Sequence, residues 1–384
     1  MNERPILEKT LNISDLLPPA EQRDVCIFSQ RAIRRDVSRC SGYEFEDVVM
    51  DLEQAKILVP DRAGSREILY RARRWLSKRT PYHRLIPSGT RGTPVSGPVD
   101  LFGCFVQKPV ELLSLDAAGD WRKNAKMAFC VIEELWHTTI DEFEPLVKSL
   151  SQFDLITCAF ESSCERLSKL TGRPVIHLPG AADLLAFQPK DPNLPRPIDV
   201  YYMGRRRPDL HELLKPALEE RGNFYLYDSA AGAPIAQDHV THRQLLSSLV
   251  GRSKLFVVDY GKIGHADQRT GQLIWGPRHV EGMAGGAVQV GYAPDTPDFH
   301  AAFDWPEAVE RLPEDPASAT RAILSLIDAP SELKRRRDVN FAQAAVRHDW
   351  LHRWALITDH FGLTPTAQAL TRQSELTKLQ SRFT

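Results

Sequence analysis

Short apolar runs separated by charged, helix-periodic stretches recur along the whole chain. Residues 25–28 form the first run, and a polar turn at 29–31 follows it. Residues 45–52 carry a helical pattern, and residues 56–61 read as a second, buried strand. A basic helix is expected from Gly64-Ser65 to about Lys78. Ser65 suits its N-cap, and Ile68, Leu69, Ala72 and Leu76 share one face. Four further apolar segments lie at 99–106, 127–132, 153–160 and 175–178, with helical stretches near 109–115, 141–150 and 161–171 between them. The alternation of strands with helices predicts a parallel sheet covered on both faces. Residues 1–20 read as a loosely held arm, and 87–98 as a Gly/Pro/Ser loop.

Pro189, Pro192, Pro195 and Pro197 interrupt the pattern in a segment with little periodicity. A second alternating series follows. Residues 198–203 read as a strand that turns at Gly204 into a helix bearing Leu210, Leu213, Leu214, Ala217 and Leu218. Pro216 should kink or shorten that helix. Strands are expected at 224–227 and 255–258, and Thr241 and Gln244 have the spacing of a capping box between them. A polar loop spans 259–275. Pro277 then starts a short helix, Gly285-Gly286 ends it, and residues 287–290 read as a strand. Asp315-Pro316 is a helix start, residues 331–361 read as a longer helical region, and the polar tail after Gly362 reads as mobile. The expected division is a first α/β domain at 1–183, a linker at 184–197, a second α/β domain at 198–345, and a crossover helix with tail at 346–384.

Composition narrows the class without naming a function. Over 384 residues, hydrophobic content is 42%, charged content 26% and formal net charge −1, an ordinary globular balance. Such a charge gives no reason to expect a nucleic-acid partner, and no apolar run approaches the ~20 residues of a membrane span. The charged N-terminus does not resemble a signal peptide. The six cysteines form no C-x-x-C, and Cys26, Cys104, Cys130 and Cys158 lie in apolar runs. These features fit a cytoplasmic protein without a zinc site.

Chemistry concentrates around residues 275–292. A helix N-terminus attracts anions, Arg278 stands beside it, and Glu281 lies about one turn further along. A cation at a helix start and a carboxylate one turn in can hold a nucleotide, the carboxylate accepting from two ribose hydroxyls. Gly204 is followed by Arg205, Arg206 and Arg207, and guanidinium groups hold phosphate through paired bonds. Lys262, His265 and Arg269 lie on the preceding polar loop. Glu134 and His137, just after the expected strand ending at Ile132, and Asp61, after Pro60, are candidate bases. His177, inside an apolar run, reads as a core residue. No G-x-S-x-G, H-E-x-x-H or Walker sequence is present.

The stretch RHVEGMAGGAV at 278–288 resembles the R-x-x-E-A-x-A-x-G-A motif of group-1-like glycosyltransferases of the GT-B fold. Arg278 agrees with the branch that includes spore-maturation glycosyltransferase-like proteins. Glu281 matches the second Glu of the E-x7-E pattern in retaining relatives, and the first Glu falls on Leu273. Residues 153–189 are similar to the end of that family's first domain, and the likeness covers most of 153–363. The resemblance implies two Rossmann-like domains whose parallel sheets face each other across a cleft. It also implies a C-terminal helix crossing back to the first domain. A nucleotide-diphosphate sugar would be a co-substrate, with no further cofactor and no metal. The donor set would be Gly204, Arg205, Arg207, Lys262, Arg278, His279, Glu281, Gly285 and Gly286, with His137, Glu134 or Asp61 as base if the reaction inverts. The acceptor, a glycan, lipid, protein or small molecule, stays open. A nucleotide-sugar-binding protein without turnover, and an epimerase or phosphorylase, are the other classes the same scaffold admits.

Overall fold

Strands come first, because their register sets the position of every candidate residue. A computed structural model describes residues 22–62, 67–189, 191, 194–228 and 234–383. In chain order the strands are β1 (Val25–Phe28), β2 (Lys56–Leu58), β3 (Asp61–Arg62), β4 (Thr90–Arg91), β5 (Val99–Val106), β6 (Ala125–Ile132), β7 (Leu155–Cys158) and β8 (Val175–His177). After these come β9 (Ile198–Tyr202), β10 (Tyr225–Tyr227), β11 (Ser253–Asp259), β12 (Val288–Tyr292) and β13 (Glu310–Arg311). They build a six-stranded parallel sheet ordered β2-β1-β5-β6-β7-β8 and a five-stranded parallel sheet ordered β10-β9-β11-β12-β13. β3 and β4 pair separately as an antiparallel ribbon.

Both sheets repeat one topology. The chain goes from its first strand to one edge, then crosses back to the other side of that first strand. The order therefore reverses between β1 and β5 and again between β9 and β11. In open parallel sheets the crevice outside the carboxyl ends at such a reversal is where ligands bind. Register brings those ends level: Phe28 faces Cys104, Val106 faces Ile132, and Asp259 faces Tyr292.

Side-chain alternation explains why the strand sequences are apolar throughout. In β1, Val25 and Ile27 enter one core while Cys26 and Phe28 enter another. The first of these cores is shared: it continues through Phe45, Trp350 and Trp354 to Tyr201 and Phe256 of the second sheet. Helices Pro330–Arg347 and Trp350–His360 divide the region expected as one, because Asp349 caps the second through Leu351 N at 2.9 Å. Trp350 then stacks on Phe45 at 4.6 Å, and Trp354 Nε1 donates to Glu53 Oε1 at 2.7 Å, so the late helices return to the first sheet. Among the described residues, no helix is long and apolar enough to cross a membrane.

Several local expectations change. The arm at 1–20 and the Gly64-Ser65 helix start lie outside the described residues. β2 is an edge strand with exposed or half-buried side chains, not a buried one. The helix Glu67–Ser77 turns Ile68 outward, 82% exposed, because periodicity groups residues on a face without saying which way it points. The helix Pro208–Glu220 runs through Pro216 to its end. Asp238, not Thr241, caps the helix His239–Gly251, accepting from Thr241 N at 2.8 Å. The polar tail is a helix, Ala367–Gln380, that buries Ala369, Leu376 and Leu379. Arg372 from this helix bonds Asp183 and Asp349, each at 2.7 Å.

Candidate functional site

The reversal between β9 and β11 holds a cluster of charge. Tyr202, the last residue of β9, donates its hydroxyl to Asp259 Oδ2 at 2.5 Å, and Arg207 N donates to the same Tyr202 oxygen at 3.0 Å. Burial pushes the Asp259 carboxyl up to about 6, against the opposing pull of the Tyr202 hydrogen bond, Arg278 and Arg207. Immediately beyond β9 the backbone turns at Gly204 with φ +77°, a conformation that favours glycine. Gly204 N donates to Asp228 Oδ2 at 2.7 Å. A Cβ on Gly204 would lie 2.5 Å from Nη2 of Arg278. The bare turn is thus what lets a guanidinium lie against the backbone at the carboxyl end of the sheet.

Arg278 begins the helix Arg278–Ala284, and this helix leads into β12 through Gly285 and Gly286. Gly286 has φ +70° and ends the helix as expected; a Cβ on Gly285 would lie 2.5 Å from Val250 Cγ1, so these two glycines serve the turn and its packing. His279 is buried among Trp275, Phe299 and Phe303, with Nδ1 3.2 Å from Gly276 O. Burial lowers its pKa to about 4, so the ring is neutral at pH 7.

Glu281 is buried on the same helix and accepts from Nη1 of Arg243, a residue of the helix His239–Gly251. Nε of the same arginine donates to Glu44 on the helix Cys40–Glu53 of the first half. Glu44 also accepts from Trp350 Nε1 at 3.1 Å and from Asp183 N. Arg243 packs over the Phe187 ring at 4.5 Å, and its Nη2 is buried with no hydrogen-bond partner among the described residues.

Of the other basic residues, Arg205 is exposed on the turn. Arg206 donates to Asp228 O at 2.5 Å and lies over Tyr227 at 5.0 Å. Arg207 is engaged by Asp209 at 2.6 Å and Glu314 at 2.8 Å. On the loop after β11, Lys262 donates to Gln268 O at 3.0 Å and sits 3.9 Å from the Trp136 ring, a residue beyond β6. Burial lowers the Lys262 pKa. His265 is exposed, and Arg269 lies over Tyr260 at 4.8 Å. Gln272 also reaches the first half, accepting from His137 N at 2.7 Å and donating to Ser162 Oγ at 2.8 Å.

The base candidates separate. Glu134 accepts from Trp136 Nε1 at 2.7 Å and pairs with Lys108 at 3.4 Å, which brings it close to Lys262. His137 Nε2 is 3.0 Å from Ser162 O. Asp61 is exposed in the β3–β4 ribbon, opposite Arg91. A carboxylate that the sequence reading passed over stands beside them. Glu133 directly follows β6 and lies so close to the helix start at Gly42 that a Cβ there would meet its carboxyl. It pairs with the buried Arg39 at 3.2 Å, and Arg39 also reaches Glu111 at 3.4 Å. Burial raises the Glu133 pKa to about 8; Arg39 opposes, while Glu111, Glu46 and Glu134 add to the rise. A carboxyl group with that value at a strand end can exchange a proton near neutral pH. Its only sequence signal was its place next to Glu134.

No family model and no curated protein matches the sequence. Solved structures do. An alpha-glucosyltransferase in complex with UDP-glucose and DNA containing an abasic site is similar at 13% identity, covering 88% of this chain and 99% of that one, with TM-score 0.52. Anabaena Alr3699/HepE in complex with UDP-glucose is similar at 11% identity, 88% and 99% coverage and TM-score 0.50. The N-terminal domain of Candida albicans trehalose-6-phosphate phosphatase is similar at 8% identity, 90% and 97% coverage and TM-score 0.54. At such identities the likeness speaks for the fold: the chain has the GT-B arrangement of two Rossmann-like α/β units.

Proposed function

We propose that the protein is a glycosyltransferase of the hexosyltransferase class that takes its sugar from a nucleotide-diphosphate sugar. The observation that carries this reading is Arg278 lying against the bare Gly204 turn at the β9/β11 reversal, with Glu281 one turn further on. A diphosphate at that turn would meet the guanidinium and exposed Arg205, and the ribose hydroxyls would reach toward Glu281. In the transfer, the bond from the anomeric carbon to the diphosphate breaks and a bond to an acceptor oxygen forms. The diphosphate leaves with the electron pair, and Arg278 stabilises the charge without needing a metal. In an inverting transfer the acceptor proton passes to a base at the carboxyl ends of the first sheet, where Glu133, Glu134 and His137 stand. Two of the similar structures hold UDP-glucose, which supports a nucleotide sugar as the donor class. The cytoplasm is the proposed compartment.

One observation favours a second reading, a nucleotide-sugar-binding protein without turnover. Glu281 is already held by Arg243 in a buried ion-pair chain, and Leu273 stands where the retaining pattern has its first Glu. A thermal-shift screen against nucleoside diphosphates and their sugar conjugates, followed by donor hydrolysis with the one that binds, tests both. Stabilisation by one nucleotide, lost in Arg278→Ala, supports the donor site. Hydrolysis or transfer then supports the enzyme, and binding without either supports the second reading. No stabilisation by any of them removes both.

A further inference from the structure

The helix Glu67–Ser77 is built with its apolar stripe toward solvent. Tyr70, Arg73 and Ser77 are buried at i, i+3 and i+7, and they define the inward face. Arg73 is fixed there by Asp116. Ile68, Ala72 and Trp75, at i, i+4 and i+7, form the opposite stripe. Ile68 is 82% exposed and Trp75 58%. The turn that packs on this helix, Pro81–Leu85, adds Tyr82 at 69% and Leu85 at 81%. Large apolar side chains gathered on one exposed face mark an interaction surface.

Charge around the stripe identifies the partner. Between residues 67 and 91 there are seven Lys and Arg and one acid, Glu67; Arg73 is turned inward onto Asp116 and Lys78 pairs with Glu142, so the arginines beside the stripe carry its charge. Arg74 and Arg84 are exposed beside the apolar residues, and the Arg79 guanidinium stacks 4.2 Å over Trp75. An exposed apolar stripe with Trp at its centre and arginines along its margin is the chemistry of a helix lying in a membrane interface. Single-stranded nucleic acid rewards aromatic and guanidinium planes, and gains nothing from an exposed Ile and Leu. We propose that this helix and turn dock the protein on an anionic lipid surface. Ile68, Trp75, Tyr82 and Leu85 enter the headgroup–acyl boundary, and the arginines meet lipid phosphate. Arg73–Asp116 ties the surface to the segment after β5.

Co-sedimentation of the full chain with phosphatidylcholine vesicles, with and without phosphatidylglycerol, tests this. The protein should pellet with the anionic vesicles only, and release as salt rises. The triple variant Ile68→Ser/Trp75→Ser/Leu85→Ser should lose at least about tenfold in partition while unfolding at the wild-type temperature, because all three side chains face solvent. Brominated phosphatidylglycerol should quench tryptophan emission in the wild type, and Trp75→Phe should pellet normally with that quenching reduced. Wild-type protein staying in the supernatant with both vesicle types would overturn the proposal. So would a triple variant that pellets like wild type, or quenching unchanged in Trp75→Phe. Oligonucleotide binding abolished by the triple variant, in the absence of lipid partition, would assign the surface to nucleic acid instead.

Discussion

Arg243 holds Glu281 through Nη1 and Glu44 through Nε, so one buried guanidinium joins the candidate donor helix to a helix of the first half. All three side chains are nearly inaccessible to water. Removing the cation leaves two buried carboxylates facing each other. Arg243→Met should therefore destabilise the fold by ~3–5 kcal/mol, read as a lower denaturation midpoint in urea. An unchanged midpoint would mean that water enters the pair freely.

Arg278→Ala should weaken nucleoside diphosphate binding and leave a nucleoside without phosphate unaffected. A charge-assisted bond contributes ~1.5–3 kcal/mol, which is roughly ten- to hundredfold in Kd by calorimetry. Equal losses for both ligands would place Arg278 away from the phosphates.

At Gly204, substitution by Ala meets two obstacles, a φ of +77° and the Arg278 guanidinium. The variant should lose roughly 1 kcal/mol or more of stability from backbone strain alone. It should also displace Arg278 and so lower nucleotide affinity. Double replacement, Gly204→Ala with Arg278→Ala, should bind no worse than Arg278→Ala, and an additive loss would separate the two residues.

Glu133 gives a pH signature with a definite sign. Its folded value is about 8 against an ordinary 4.5, so between those values the unfolded chain has lost a proton that the folded protein keeps. Stability should then fall as pH rises from about 4.5 to 8, by on the order of a few kcal/mol. Glu133→Gln should flatten that part of the profile. In a transfer assay, a rise of activity with an apparent pKa near 8 that Glu133→Gln abolishes would make Glu133 the base. A retained profile would leave it a positioning group for Arg39.

Arg372→Ala should destabilise by ~3–5 kcal/mol, since Asp349 is fully buried and would lose its cation. A tail attached only loosely would show no change in the thermal unfolding of this variant.

Most strands and their parallel arrangement were legible because a strand buried on both faces needs a largely apolar run, as in Val25–Phe28 and Val99–Val106. The Gly204 turn and the helix from Arg278 were legible too, since glycine and proline mark backbone conformation locally. What stayed hidden depends on distance. Arg243 meets Glu44 across 199 positions and Glu281 across 38, and no local pattern pairs them. Glu133 and Glu134 are neighbours whose side chains take different partners, one meeting Arg39 and the other Trp136, and adjacency in sequence does not tell them apart. The helix Ala367–Gln380 hides for a related reason: Leu376 and Leu379 are too few to stand out amid polar residues, yet they suffice when a ready-made surface receives them.

The return of the late helices to the first sheet has a consequence for biosynthesis. Glu53 waits for Trp354, Phe45 for Trp350 and the Leu52 carbonyl for the Thr366 hydroxyl, each about 300 residues further along. At a translation rate of ~5–20 residues per second, the helix Cys40–Glu53 is made roughly 15–60 s before these partners exist. For that interval Phe45 and the carboxylates of its helix lack their final cover. The opening third of the chain is thus the part a nascent-chain chaperone would engage, and its last step of folding coincides with completion of residues 350–380.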